Sequence, residues 1–93
     1  MKLMWIDPKA KQRYWDYFVS FEGYWPPGFT PRRLKRIRAA CWEDERFWGD
    51  IIYRHGGHAD PRDIEPCLFD HAIGNFYMLA ADIAREAGII HDA

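Results

Sequence analysis

Three stretches of the chain place apolar residues at spacings of three and four, and each opens on a polar residue followed directly by proline: Asp7-Pro8, Thr30-Pro31 and Glu65-Pro66. That pairing is a helix start. Asp or Thr accepts hydrogen bonds from the first N–H groups, and a proline at the first helical position lacks only a donor that would have no partner. After Asp7-Pro8, the residues Ala10, Tyr14, Tyr17, Phe18 and Phe21 share one face, Trp15 and Val19 widen it, and Lys9, Lys11, Arg13 and Asp16 take the wet side. The pattern predicts a helix over 8–22, stopped by Gly23.

The second stretch, Phe29 to Gly57, carries the densest charge and much of the aromatic content. Phe29 and Leu34 stand where a hydrophobic staple would close, and His55-Gly56-Gly57 is its stop signal. Leu34, Ile37, Cys41, Trp48, Ile51 and Ile52 form the face expected to be buried, interrupted by Asp44 and Glu45, which need a partner or an exit to water. The other side carries Lys35, Ala39, Trp42, Arg46, Gly49 and Tyr53. This predicts one helix over 31–55 that packs on two neighbours, or on one neighbour and an outside partner.

The third stretch has the cleanest period: Phe69, Ala72, Ile73, Phe76, Ala80, Ile83, Ala84 and Ala87 lie on one face of a helix over 66–87, with Gly88 as its stop and Ile89 placed for a Schellman contact. Its alanines admit large neighbouring rings, and Gly74, about 1 kcal/mol worse than alanine in mid-helix, predicts a close helix crossing. Between the helices, Gly23 to Phe29 is stiffened by Pro26 and Pro27, with Tyr24 and Trp25 expected to cap the core. His58 to Glu65 reads as a loop in which Asp60-Pro61 starts one short turn, and Met1 to Ile6 as an arm docking Leu3, Met4 and Trp5. The expected fold is all-α, a compact three-helix bundle with a short N-terminal arm, in one domain spanning 1–93.

Composition adds limits. The 13 basic and 14 acidic side chains give a formal charge of −1 over 93 residues, so any polyanion-binding surface must be local. Aromatics make up 17% of the chain, five of them tryptophans, more than a small core readily absorbs. Two cysteines are too few for a disulfide scaffold, the N-terminus has no leader pattern, and no apolar run reaches the roughly 20 residues of a membrane span, so a cytoplasmic location without membrane contact is expected.

Two constellations stand out. Arg32, Arg33, Lys35, Arg36 and Arg38 crowd the first turns of the second helix, the end whose dipole prefers acids by about 0.3–1 kcal/mol per charge. The bland account is a solvated face balanced by Glu43, Asp44 and Glu45; the functional one is a docking site for phosphate, nucleic acid or an acidic protein surface. The other constellation, His55, His58, Cys67 and His71, has zinc-ligand chemistry but a spacing, H-x2-H-x8-C-x3-H, that matches no zinc signature. Its bland account makes His55 a helix cap and Cys67 a small buried hydrophobe. Along the last helix His71, Asn75, Met78, Asp82 and Arg85 form an ordinary wet side.

No phosphate loop, nucleophile elbow or paired carboxylate is present, so the reading is non-enzymatic and without cofactor. The chain is expected to be an inhibitor- or adaptor-type module that binds a protein or nucleoprotein, with Arg32, Arg33, Lys35, Arg36 and Arg38 steering and Trp42, Arg46 and Tyr53 anchoring. A nucleic-acid-binding module using the same arginines is the alternative, and a zinc-stapled domain the third. Self-association through the aromatic stripe and a phage or mobile-element inhibitor role are also compatible with the pattern.

Overall fold

Each expected helix start falls at its proline, and Asp7 and Thr30 make capping hydrogen bonds whereas Glu65 makes none. In the computed structural model, which describes residues 7–54 and 60–91, Asp7 Oδ1 accepts from the Lys9 N–H at 3.0 Å and Pro8 opens α1, Pro8–Val19. Thr30 Oγ1 accepts from the Arg33 N–H at 3.2 Å and Pro31 opens α2, Pro31–Trp42. A short α3, Glu45–Trp48, runs into a π-helical turn, Gly49–Tyr53; after a 3₁₀ turn, Pro61–Asp63, capped by Asp60, the long α4 covers Pro66–Glu86. Every regular element among the described residues is helical.

α4 ends in the expected Schellman motif. Gly88 takes φ +73°, its N–H donates to Arg85 O at 3.0 Å, the Ile89 N–H donates to Ala84 O at 2.8 Å, and Ile89 is buried. α1, in contrast, stops at Val19 rather than at residue 22, and Gly23 lies within a separate 3₁₀ turn, Glu22–Tyr24. Tertiary and local bonds end it early: the Ser20 and Phe21 N–H groups turn to the carbonyls three residues back, and the half-buried Trp25 donates its indole N–H to Val19 O at 3.1 Å. Trp25 thus caps the core as expected, while Tyr24 stays exposed and donates to Asp70 Oδ1 at 2.8 Å.

The single helix expected over 31–55 is two helices, so the described residues hold four α-helices rather than three. Asp44 is the cause. It leaves the helical conformation (φ −84°, ψ 109°) and its Oδ1 accepts from the Phe47 N–H at 3.1 Å, capping α3. The break also repairs the core: in an unbroken helix Phe47 would stand about 120° away from Cys41 around the axis, whereas here Phe47 and Trp48 are both fully buried. The stop expected at residues 55–57, and the arm at 1–6, lie outside the described residues.

The core converges on Phe76 of α4. Rings of Trp15 and Phe18 from α1, Phe47 from α3 and neighbouring Tyr77 stand 5.3, 5.0, 5.2 and 5.2 Å from it, tilted or edge-on. Ala72 and Ala80, one turn to either side, are buried and leave room for those rings. α2 packs along the same helix through Ile37 and Cys41, and the molecule measures 34 × 30 × 18 Å, about two helix diameters thick. Gly74 makes no close crossing: it is exposed, and an added Cβ would meet nothing within 4 Å.

Two substitutions test this account. Phe76→Ala is expected to cost about 3–5 kcal/mol and Phe76→Leu clearly less. Gly74→Ala should stabilise by about 0.5–1 kcal/mol, because the site offers open space at a helical backbone. Urea denaturation of the three variants measures both, and a neutral Phe76→Ala or a destabilising Gly74→Ala contradicts the packing described.

Candidate functional site

At about 100° per residue, Ile37 and Cys41 of α2 point into the core, which turns Arg32, Lys35, Arg36 and Ala39 outward; all four are exposed. Among the described residues no ion pair or side-chain hydrogen bond engages Arg32, Lys35 or Arg36. Beyond them, exposed Glu43 and Glu45 close the α2–α3 junction. The resulting surface is positive at the start of α2 and negative at its end.

The remaining predicted residues do not join that face. Arg33 turns sideways and donates from Nη1 to Gly28 O at 3.1 Å. Arg38 stacks on Trp42, 4.2 Å from guanidinium carbon to ring centre, and also bonds to Gln12 Oε1. Trp42 is half-buried, edge-on to Trp48 at 5.7 Å, with the Lys11 ammonium 5.5 Å from its ring centre. Its carbonyl, left without a helical donor where α2 stops, accepts from Lys11 Nζ at 3.0 Å and from the Trp48 indole at 3.1 Å. Trp42 and Arg38 therefore close the end of α2 and are not a single exposed stripe with Arg46 and Tyr53.

Past the break, Arg46 reaches back to Asp44 Oδ2 at 2.9 Å and across to Glu86 Oε2 of α4 at 3.2 Å. Those two carboxylates raise its already high pKa, and the Arg46 guanidinium, ahead of the Phe47 N–H, holds Asp44 below the usual carboxylate range. Tyr53, at the end of the π turn, is 59% exposed. In the same turn Asp50 places Oδ1 3.5 Å from Arg54 Nη1, and its buried Oδ2 has no hydrogen-bond partner among the described residues.

Of the four zinc candidates, His55 and His58 lie outside the described residues. Cys67 and His71 sit on the first turns of α4, both exposed; Cys67 Sγ lies 3.7 Å from Glu65 Oε2, and a His71 ring nitrogen 3.4 Å from Asn75 Nδ2. The expectation of a buried Cys67 is corrected, because Phe69 takes the inward position and two residues earlier is about 200° around the helix. The buried thiol is Cys41, pushed up to about 12 by burial and then by the Asp44 charge. No group of three or more potential metal ligands converges among the described residues.

Sequence reasoning missed Lys11, which belongs to α1 yet completes the end of α2, and two surface clefts. One, of about 260 Å³, is lined by Arg13, Asp16, Tyr17, Asp60, Pro61 and Arg62; there Asp60 bonds Arg62 through both oxygens, and its carboxyl falls to about 2. The other lies between the Pro26-Pro27-Gly28 turn and the end of α4. No helix among the described residues is long and apolar enough to cross a membrane. Comparison with protein-family models, curated proteins and solved structures gives no match to this chain.

The Asp44 junction is testable by pH. A carboxylate held below its unfolded pKa stabilises the fold fully above that unfolded value, near 4, and the contribution is lost as pH falls through the folded pKa. Near neutral pH, Asp44→Ala should cost about 1 kcal/mol, and Asp44→Asn, which keeps the cap and loses an exposed pair, only a few tenths. Denaturant titrations should show the wild-type advantage over both variants shrinking as pH drops below about 4. An advantage that persists unchanged into strong acid rules out the ionised cap.

Proposed function

We propose that the chain is a small non-enzymatic interaction module, of the inhibitor or adaptor type, whose outer α2 face docks on an acidic patch of a partner protein or nucleoprotein. One observation carries this reading: Arg32, Lys35 and Arg36 stand exposed with no ion pair or side-chain hydrogen bond among the described residues, and Arg32 lies in the first turn of α2, where the dipole opposes it. Internal stability does not account for them there. Docking of an acidic patch would, and it would steer encounter by charge.

The change of sign along the face favours a protein over a nucleic acid. A uniform run of phosphates matched to Arg32 and Arg36 would be repelled further on by Glu43 and Glu45, whereas a protein surface can carry both signs in order. One observation supports the nucleic-acid alternative: Trp42, one of the expected anchors, is stacked and half-buried, which leaves the basic start of the outer face without an aromatic anchor beside it.

The deciding experiment is capture from native lysate by the tagged full-length chain, with and without nuclease, alongside the triple variant Arg32→Glu, Lys35→Glu, Arg36→Glu. A protein captured in both lysates should fall about tenfold or more with the triple variant, as expected when attraction becomes repulsion, and persist when exposed Lys9 of α1 is reversed instead. Capture that disappears with nuclease moves the reading to nucleic acid. Undiminished capture by the triple variant removes α2 as the docking face.

A further inference from the structure

A cleft of about 350 Å³ opens between the Pro26-Pro27-Gly28 turn and the end of α4, lined also by Arg33, Arg85, Ile90 and His91. Three basic side chains from two distant parts of the chain meet there, and among the described residues no carboxylate is in its lining. Arg85 and His91 have a structural reason to be near a helix C-terminus, whose dipole favours cations. Arg33 comes instead from the start of α2 and reaches the cleft through its bond to Gly28 O.

Both walls are stiff. Pro26 and Pro27 fix their φ angles, the Phe29 N–H closes the turn on Pro26 O at 3.1 Å, and Gly28, at φ +91°, lies so close to α4 that an added Cβ would stand 3.3 Å from Ile90 Cγ2. The facing wall is the Schellman end of α4 with Ile89 and Ile90 buried. The arginines are held as well: Arg33 donates to Gly28 O at 3.1 Å and Arg85 to Asp82 Oδ1 at 2.5 Å. Each of these bonds uses part of a five-donor fork and orients it.

We infer that this cleft is a binding site for a small phosphate monoester. Two oriented guanidinium forks suit the oxygens of a tetrahedral dianion, and the imidazole of His91 adds a third nitrogen. The volume is larger than a bare phosphate fills and falls in the range of small-ligand pockets. Pro26, Pro27 and Ile90 give the organic part of the ester an apolar wall. The inference is independent of the docking role of α2, since Arg32, Lys35 and Arg36 take no part in the cleft.

The test is an NMR titration of the full-length chain with phenyl phosphate, and separately with inorganic phosphate, at constant ionic strength. Saturable shifts at Ile90 and His91 are expected with both, tighter for the ester. Arg33→Gln and Arg85→Gln should each weaken binding about tenfold or more, the scale of one charge-assisted hydrogen bond. Arg33→Lys, which keeps charge and loses the fork, should weaken it less, and Arg62→Gln, in the other cleft, not at all. If Arg85→Gln disturbs the end of α4, the Arg33 pair of variants still decides. Absence of saturation at about 10 mM of either probe, where a millimolar site would be filled, overturns the site; so does an equal loss in Arg62→Gln, which would mark general charge attraction.

Discussion

The fold depends on one ring being met by others at an angle. Phe76 has a negative face and a positive edge, and Trp15, Phe18, Phe47 and Tyr77 approach it tilted or edge-on at 5.0–5.3 Å, so α1, α3 and α4 are fixed through a single side chain. Such geometry needs space beside the ring, which Ala72 and Ala80 supply. It also needs buried polar groups nearby to be satisfied, and Tyr77 donates its hydroxyl to Phe18 O at 2.9 Å. Burial raises the Tyr77 pKa, which keeps the phenol a neutral donor. That bond ties α4 to the last full turn of α1, close to where Trp25 caps the same helix.

The second constraint is the break at Asp44. Hydrophobic periodicity from Leu34 to Ile52 continues through it almost in phase, which is why one helix is the natural reading of residues 31–55. The capping carboxylate wins because the break adds contacts on both sides: the Trp42 carbonyl gains Lys11 and the Trp48 indole, and Phe47 gains the core. Lys11 lies 31 residues away from Trp42, so no local pattern announces it. The organising element is correspondingly α4, whose apolar face meets every layer, rather than the more charged stretch before it.

What could be read from the sequence was local chemistry. Thr30 as a cap, Pro31 at the first position, Asp60 as the start of a short turn and the Gly88–Ile89 ending are all as their residue types imply, since each depends on neighbours within a few positions. The stripe of α4 was legible for the same reason, although Tyr77 and Ala81 extend burial beyond it and Ala87, expected at its end, is exposed just past the helix. Gly74 and Cys67 misled because mid-helix glycine and free cysteine usually mark contact, whereas here both are exposed. At the basic cluster the sequence supplied the charges but not their partners. Arg33, Arg38 and Arg46 each find one through the fold, leaving Arg32, Lys35 and Arg36.

That division separates structural from unspent charge. Arg38 stacks on Trp42, and Arg46 bridges Asp44 and Glu86, so both arginines have a place in closing helix ends and joining α3 to α4. The three on the outer face of α2 join nothing among the described residues, and Arg32, in the first turn, stands against the dipole of its own helix, a cost of about 0.3–1 kcal/mol at low salt. In a domain whose total stability is of order 5–15 kcal/mol, such a cost is tolerable but not favoured by folding. A bound acidic surface reverses its sign: the same charges, exposed and unpaired among the described residues, lose no contact with those residues on docking, so the interaction begins without having to break the described fold.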